Sequence, residues 1–329
     1  MNKLSITSKK LPIVICAVVI IFVGIIGMLV SYIFKDNPDI GLRWGIDFTG
    51  GTVFNFSVKR DVSPEDLKTV ENIVKQVTGE TPSLVQKTTV SAVDTSVLNS
   101  TDIIIVKCNT DKNEDRREIL SLIAKEFSLP FSNEGNSDEN VDASKIEWLL
   151  SSDSVGPAAA ADLLKSAFLA TSIAALLMLV YISLRFDLYS GIAAVVALLH
   201  DVSMMIIFNL IFGIQINLPF IAAVLTILGY SINATIVIFD RIRENNNQMF
   251  EKPFDLIVEK SIRQTMRRSI FTSLTTLFTV LILFILSVPS IREFSFPIII
   301  GIIAGFYSSV CISGNVWLIL KERKEKKSS

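Results

Sequence analysis

His200 and Asp201 stand side by side in ALLHDVSMM (197–205), an otherwise apolar run, and His200 is the only histidine in the chain. An imidazole next to a carboxylate can take up and hand on a proton near neutral pH. The same pair can instead be a structural hydrogen-bonding post between helices, because buried polar groups need partners whatever their task. Neighbours on a helix point about 100° apart, so the two need not bond each other. Either use needs shelter, since a charge near the centre of a bilayer costs on the order of 2.5–3.5 kcal/mol on insertion scales. Asn209 lies two turns further on, on about the same face.

A second set of polar residues falls on two later apolar runs. Thr226, Tyr230 and position 234 are spaced by four and share one helical face, but position 234 is Ala234, flanked by Asn233 and Thr235. Thr272, Thr275, Thr276 and Thr279 follow Arg268 at helical spacing, one hydroxyl stripe led by a cation. Threonines in such runs also bond their own helix, and basic residues at the end of a span also act as anchors. Arg267 reads as an anchor. For Arg268, in register with the stripe, anchor and functional group both stay open, because ionisable groups inside a membrane commonly mark ion pathways.

A third feature is the glycine pair Gly50-Gly51 in WGIDFTGGT (44–52), which also holds Gly45 and Asp47. Such a pair can cradle an anion; a tight turn between extended segments is the more economical use. Gly301-x-x-x-Gly305 and Ser309-x-x-x-Ser313 place small residues four apart, which suits close helix packing. Cys16, Cys108 and Cys311 are far apart and match no zinc or redox spacing. No HExxH, GxSxG, paired CxxC or phosphate-binding loop occurs, and a lone His-Asp pair is not a hydrolase constellation. The expectation is a non-enzymatic protein with no metal, no cofactor and no nucleic-acid partner.

These residues must be positioned by membrane-spanning helices. Half of the 329 residues are apolar and only 19% are charged, and the mean hydropathy is +0.52, too apolar for a soluble chain of this length. A spanning helix needs about 20 mostly apolar residues. Leu11–Phe34 qualifies and carries no charge; it is too long for the core of a signal peptide, so it reads as a retained span. Five more runs follow, at about 163–184, 188–212, 218–239, 269–288 and 296–320. With both termini in the cytoplasm, the inside segments hold sixteen Lys and Arg residues, and the two short outside loops hold only Arg292. The segments are then 1–34 (N-terminus and first span), 35–156 (an exported domain), 157–320 (spans two to six, with a cytoplasmic loop at 240–268) and 321–329 (a basic tail).

The exported segment carries 13 basic and 21 acidic residues, and long segments translocate largely regardless of charge. TVFNFSV alternates as a strand. SPEDLKTVENIVKQVTG reads as a helix with Ser63 and Pro64 at its start and Gly79 at its end. SLVQKTTV and DIIIVKC read as strands, NEDRREILSLIAKEFS as a second helix, and ASKIEWLLSSDSVG as the source of a last strand. SNEGNSDEN (132–140) reads as a mobile loop. The order β-α-β-β-α-β is that of a ferredoxin-like domain. The fold class expected is therefore a multi-pass α-helical membrane protein. It has six transmembrane helices and an α+β ferredoxin-like extracytoplasmic domain between the first two.

Several segments in order resemble the SecD/SecF family of export proteins, specifically its SecF branch: WGIDFTGGT (44–52), SVGP (154–157), LRFDLYSGIAAVVALLHDV (184–202), LTILGYSINATIVIFDRIREN (225–245), RRSIFTSLTTL (267–277) and GFYSSV (305–310). The resemblance runs over almost the full length. It implies half of a resistance-nodulation-division architecture, with SecD as the other half. It also implies a role after the ATP-driven SecA stage, using a proton or sodium gradient to help draw preproteins out of the SecYEG channel, with YajC and YidC as further associates in the bacterial inner membrane. It implies ion coupling through an aspartate in the fourth span and an arginine that maps onto Arg268. Here the chain departs: the family's GYSIND is GYSINA, with Asn233-Ala234. Arg268 is kept and its carboxylate neighbour is not, which leaves Asp201, with His200, as the acidic group deep in the expected spans. The other function carried forward is a half-transporter of the same architecture exporting a small molecule or lipid. Those transporters usually have larger or paired loop domains in one long chain, whereas this one has a single modest domain and half the spans.

Overall fold

The computed structural model describes residues 7–33, 44–58, 60–79, 81–82, 84–90, 101–110, 112–131, 146–249, 251–287 and 289–328. The expected loop at 132–140 lies outside the described residues. Two compact units emerge, one of residues 44–166 and one of 1–43 with 167–329.

After a short 3-10 turn, α1 (Lys10–Ile33) is the first apolar helix. The smaller unit then begins with a single turn, α2 (Ile46–Thr49), followed by β1 (Gly51–Ser57), α3 (Pro64–Thr78), β2 (Leu84–Val90), β3 (Thr101–Cys108), α4 (Asn113–Glu126) and β4 (Leu149–Val155). The sheet order is β2-β3-β1-β4, and every pairing is antiparallel. With a helix in each of two crossovers, this is the ferredoxin-like arrangement read from the sequence.

Local chemistry explains the boundaries. Ser63 caps α3 with a reciprocal capping box: its hydroxyl accepts from the Asp66 amide at 3.2 Å, and the Asp66 carboxylate accepts from the Ser63 amide at 2.8 Å. The guanidinium of Arg60, hydrogen-bonded to Asp66, holds that carboxyl below its ordinary value. Gly79 ends the helix in the left-handed conformation, φ 75°. Alternation along β1 sends Phe54 and Phe56 into a core with Ile104, Val106, Val70, Val74 and Ile119. Trp148 closes that core, edge-on to Phe56 at 5.8 Å, with its indole N–H donating to the Pro130 carbonyl at 2.9 Å. Burial pushes the Cys108 thiol up to about 12, so it is an inert core residue.

The larger unit is helical. Six helices among the described residues are long and apolar enough to cross a membrane. After α1 they are α5 (Pro157–Arg185), α6 (Leu188–Phe212), α7 (Leu218–Gln248) and α8 (Phe254–Leu286). The last span runs through α9 (Pro289–Tyr307), a π-helical segment (Ser308–Ser313) and α10 (Gly314–Ser328). α6 and the last span are the most buried, while α1, α5 and α8 leave most of their apolar surface uncovered within the chain. Two helices outrun their apolar segments. α7 continues past Phe239 to Gln248 and α8 starts at Phe254, so most of 240–268 is helix rather than loop. Charge pairs on these extensions, Arg241 with Glu244 and Arg263 with Glu259, suit helix in water.

Candidate functional site: a buried aspartate between three helical segments

α6 is fixed at both ends. Asp187 caps it by accepting from the Ser190 amide at 2.6 Å, and Gly213 closes it at φ 64°. Between these ends the helix is embedded in the bundle, which leaves His200 1% and Asp201 0% exposed. Asp201 Oδ2 accepts from the Ser231 hydroxyl on α7 at 2.6 Å and from the Ser308 hydroxyl, at the start of the π-helical segment, at 2.9 Å. Its Oδ1 lies 3.2 Å from His200 Nδ1. The adjacent pair does meet, although ideal helix geometry does not require it, and the contact is longer than the two serine bonds. With the carboxylate ionised, Nδ1 is the nitrogen that carries the proton. His200 Nε2 has no hydrogen-bond partner, and the ring lies 5.8 Å from that of Tyr307.

Small residues make the approach possible. A Cβ on Gly305 would lie 3.2 Å from the Ser231 side chain and 3.5 Å from Asp201 Oδ2. A Cβ on Gly301 would come within 2.5 Å of Ile227. The two glycines, four apart on α9, thus pack on two residues four apart on α7, the small-residue packing their spacing predicts. A polar ladder continues from there. Ser309 Oγ meets Thr235 Oγ1 at 3.0 Å and donates to the Ser231 carbonyl at 3.4 Å, while Ser313 bonds the Ser309 carbonyl at 2.6 Å. π-Helical turns inside α-helices occur frequently at functional sites. Asn209 is also fully buried, with neither amide group bonded.

The other polar set is placed differently. Thr226, Asn233, Arg268, Thr272, Thr275 and Thr279 are exposed on the chain, and Tyr230, Ala234 and Thr276 are half-buried. Thr272 donates to the Arg268 carbonyl at 2.9 Å, Thr275 to Phe271 at 3.0 Å, Thr276 to Thr272 at 3.0 Å and Thr279 to Thr275 at 3.1 Å, each within α8. Thr226 likewise bonds Ala222, and Tyr230 only grazes Ser273 at 3.5 Å. Among the described residues no carboxylate pairs with Arg268, and it is not a partner of Asp201. No cluster of three or more His, Cys, Asp or Glu suited to a metal occurs among the described residues.

The glycine signature lies in the smaller unit. Gly45 accepts the amides of Phe48 and Thr49 and starts the single turn that carries Asp47. Gly50 and Gly51 have φ of 81° and 139°, and a Cβ on Gly51 would stand 2.4 Å from the Cys108 carbonyl oxygen. Backbone conformation and close strand approach therefore account for the pair. Sequence reasoning missed Ser231 and Ser308 as the partners of Asp201. Their only signal was a serine next to a tight-packing segment in GYSIN and GFYSSV.

Residues 136–323 match the family described as protein export membrane protein SecD/SecF, C-terminal, and residues 39–62 match the SecD/SecF GG motif. Protein translocase subunit SecF of Sebaldella termitidis is 34% identical over 286 residues, covering 87% of this chain and 84% of that protein. Protein translocase subunit SecDF of Thermus thermophilus is 32% identical, over 87% of this chain but 35% of its own greater length. The crystal structure of that translocon-associated membrane protein superposes with a TM-score of 0.69 at 28% identity, over 96% of this chain and 38% of the other.

Proposed function

Because the chain belongs to the SecD/SecF family of protein export membrane proteins, we propose that it is the SecF-type half of an ion-driven export complex. The family's members are non-catalytic translocon components that assist protein translocation, and this chain is one of them. In the proposed cycle it pairs with SecD beside the SecYEG channel, after the SecA stage, with YajC and YidC as associates. Both termini face the cytoplasm, and a proton or sodium gradient drives its conformational changes.

The observation that carries the coupling role is Asp201. A carboxylate fully buried among helices is costly as an ion unless paired and hydrogen-bonded. Here two hydroxyls on separate segments, Ser231 and Ser308, turn toward it. Binding or release of a proton at Asp201 changes which of its oxygens accept, so it biases how α6, α7 and the π-helical segment pack. In this reading His200, whose Nε2 has no hydrogen-bond partner, exchanges that proton. In this reading Arg268, exposed on α8 with no acidic partner among the described residues, meets a carboxylate of SecD. A buried arginine would otherwise remain charged and unpaired.

The test uses vesicles holding SecYEG, SecD and this chain. Asp201→Asn, which keeps shape and removes charge, should abolish gradient-stimulated preprotein export while leaving the ATP-driven stage intact. Full stimulation in that variant would make Asp201 a structural post. Full activity of the chain purified without any second membrane subunit would refute the pairing with SecD. For orientation, a cysteine at Glu71 should react with an impermeant reagent added outside cells, and one at Asn247 should not.

A further inference from the structure

The helical unit contains a cavity of about 150 Å³ whose lining includes Asp187, Arg243, Asn246, Phe254, Trp317 and Lys321. It lies where the α5–α6 turn, the polar extension of α7, the start of α8 and α10 converge, at the N-terminal end of α6, about 21 Å along that helix from Asp201. Two cations, Arg243 and Lys321, face it. Arg243 donates one N–H to the Arg185 carbonyl at 3.2 Å, and among the described residues neither it nor Lys321 forms an ion pair. Lys321 Nζ is held 3.7 Å from the centre of the Phe254 ring, a cation–π contact that fixes the ammonium and leaves its N–H donors available. Among the described residues the Asn246 side-chain amide makes no hydrogen bond either.

The one acid in the lining is already committed. Asp187 Oδ1 accepts from the Ser190 amide at 2.6 Å, and Oδ2 accepts from the Trp317 indole at 3.1 Å. Guanidinium, ammonium and carboxamide donors around one space are the complement of a phosphate, with its several acceptor oxygens and fixed charge. The space, about 150 Å³, is enough for a phosphodiester headgroup. Position favours a lipid over a free ion. Trp317 and the basic residues mark the depth at which apolar spans meet water, and Leu184 and Leu188, either side of the α5–α6 turn, are 83% and 59% exposed, ready to lie along acyl chains. We propose that this cavity binds the phosphate headgroup of an anionic phospholipid. The site stands apart from the ion-coupling reading and does not depend on it.

Native mass spectrometry of the full-length chain in detergent, mixed with equal amounts of phosphatidylglycerol and phosphatidylcholine, tests this. One phosphatidylglycerol should be retained in preference. Arg243→Gln and Lys321→Gln should each lower its retention roughly tenfold, the scale of one charge-assisted hydrogen bond. Asn246→Asp, which adds a negative charge and spares both cations, should do the same and covers the case in which a Gln variant fails to fold. Lys252→Gln and Arg267→Gln make the same net-charge change outside the cavity and should have no effect. Equal losses in cavity and control variants would reduce the binding to general surface charge and overturn the site. A second arm replaces lipid with inorganic phosphate. Binding there that is abolished by the same substitutions, without lipid preference, keeps the phosphate site and overturns its assignment to lipid. Retention of neither probe overturns the proposal altogether.

Discussion

Asp201 and Arg268 are both ionisable groups on long apolar helices, yet the chain treats them in opposite ways. Asp201 is 0% exposed and reaches two other segments through Ser231 and Ser308. Arg268 is exposed, and the threonines that follow it bond only their own helix. Within one chain, then, the acid is complete and the base is not. Polar groups that face hydrocarbon cost several kcal/mol each if unsatisfied, so back-bonded threonines and an unpaired arginine suit a surface that another helix covers. The contrast gives the two groups different dependencies: Asp201 on this chain's own packing and Arg268, in the proposed complex, on the partner.

The comparison is broken most forcefully at the serines. Replacing both Ser231 and Ser308 with alanine leaves the Asp201 carboxylate with only His200, and the expected cost is about 2–4 kcal/mol for two lost bonds to a buried charge. Denaturation of the purified chain in mixed micelles measures it. A loss under about 0.5 kcal/mol, the range of an ordinary surface change, would show that the hydroxyls do not hold a charge. A slightly smaller effect is expected at Gly301. A methyl there would meet Ile227 at 2.5 Å, so Gly301→Ala should cost about 1–3 kcal/mol by overpacking α9 on α7. The same denaturation experiment reads it. An unaltered midpoint would mean that the α7–α9 contact is loose and cannot define the geometry around Asp201.

These two positions also show what a sequence can disclose. The six spans were legible because hydropathy registers burial in lipid directly, and α3 was legible because Ser63, Pro64 and Gly79 are local instructions. The glycine spacing on α9 announced close packing but not what it packs on. Ser231 and Ser308 are 77 positions apart in the chain, and each is unremarkable in its own segment. Only the crossing of α6, α7 and the π-helical segment of the last span brings both to one carboxylate, and no periodicity encodes a crossing. The reach of α7 to Gln248 was hidden for a related reason: hydropathy marks where the apolar run ends, whereas the helix continues on charged residues that pair with one another. The Arg268 stripe shows the converse. Its periodicity was clear, but a shared face is as compatible with back-bonding and a partner as with a core.

Arg268→Ala sharpens the contrast. In the isolated chain it removes no cross-helix bond, so its stability should stay within about 0.5 kcal/mol of the parent. In vesicles with SecD, gradient-stimulated export should fall severely. A large loss of stability in the isolated chain would place Arg268 inside this chain's own network. Normal export would show that the base has been abandoned together with the acid that the family resemblance implies in the fourth span.

The smallest effect is expected at position 234. Ala234 is half-buried and lies one turn beyond Tyr230 on α7, between the side where Thr226 and Asn233 are exposed and the side of Ser231 and Thr235. Because the position is only half-buried, a carboxylate introduced there can turn toward the open polar face and leave the Asp201 cluster intact. Ala234→Asp should therefore leave the stability of the isolated chain within about 0.5 kcal/mol and leave export in vesicles with SecD essentially unchanged, because Asp201 keeps both serine donors. Two results would redraw the comparison. If Ala234→Asp destabilises the isolated chain by several kcal/mol, position 234 is part of the sealed interior and the two polar regions are one. If it instead restores export to the Asp201→Asn variant, the acid at 234 can take over coupling. The exposed face beside Arg268, rather than the buried cluster, would then be the place where the ion acts.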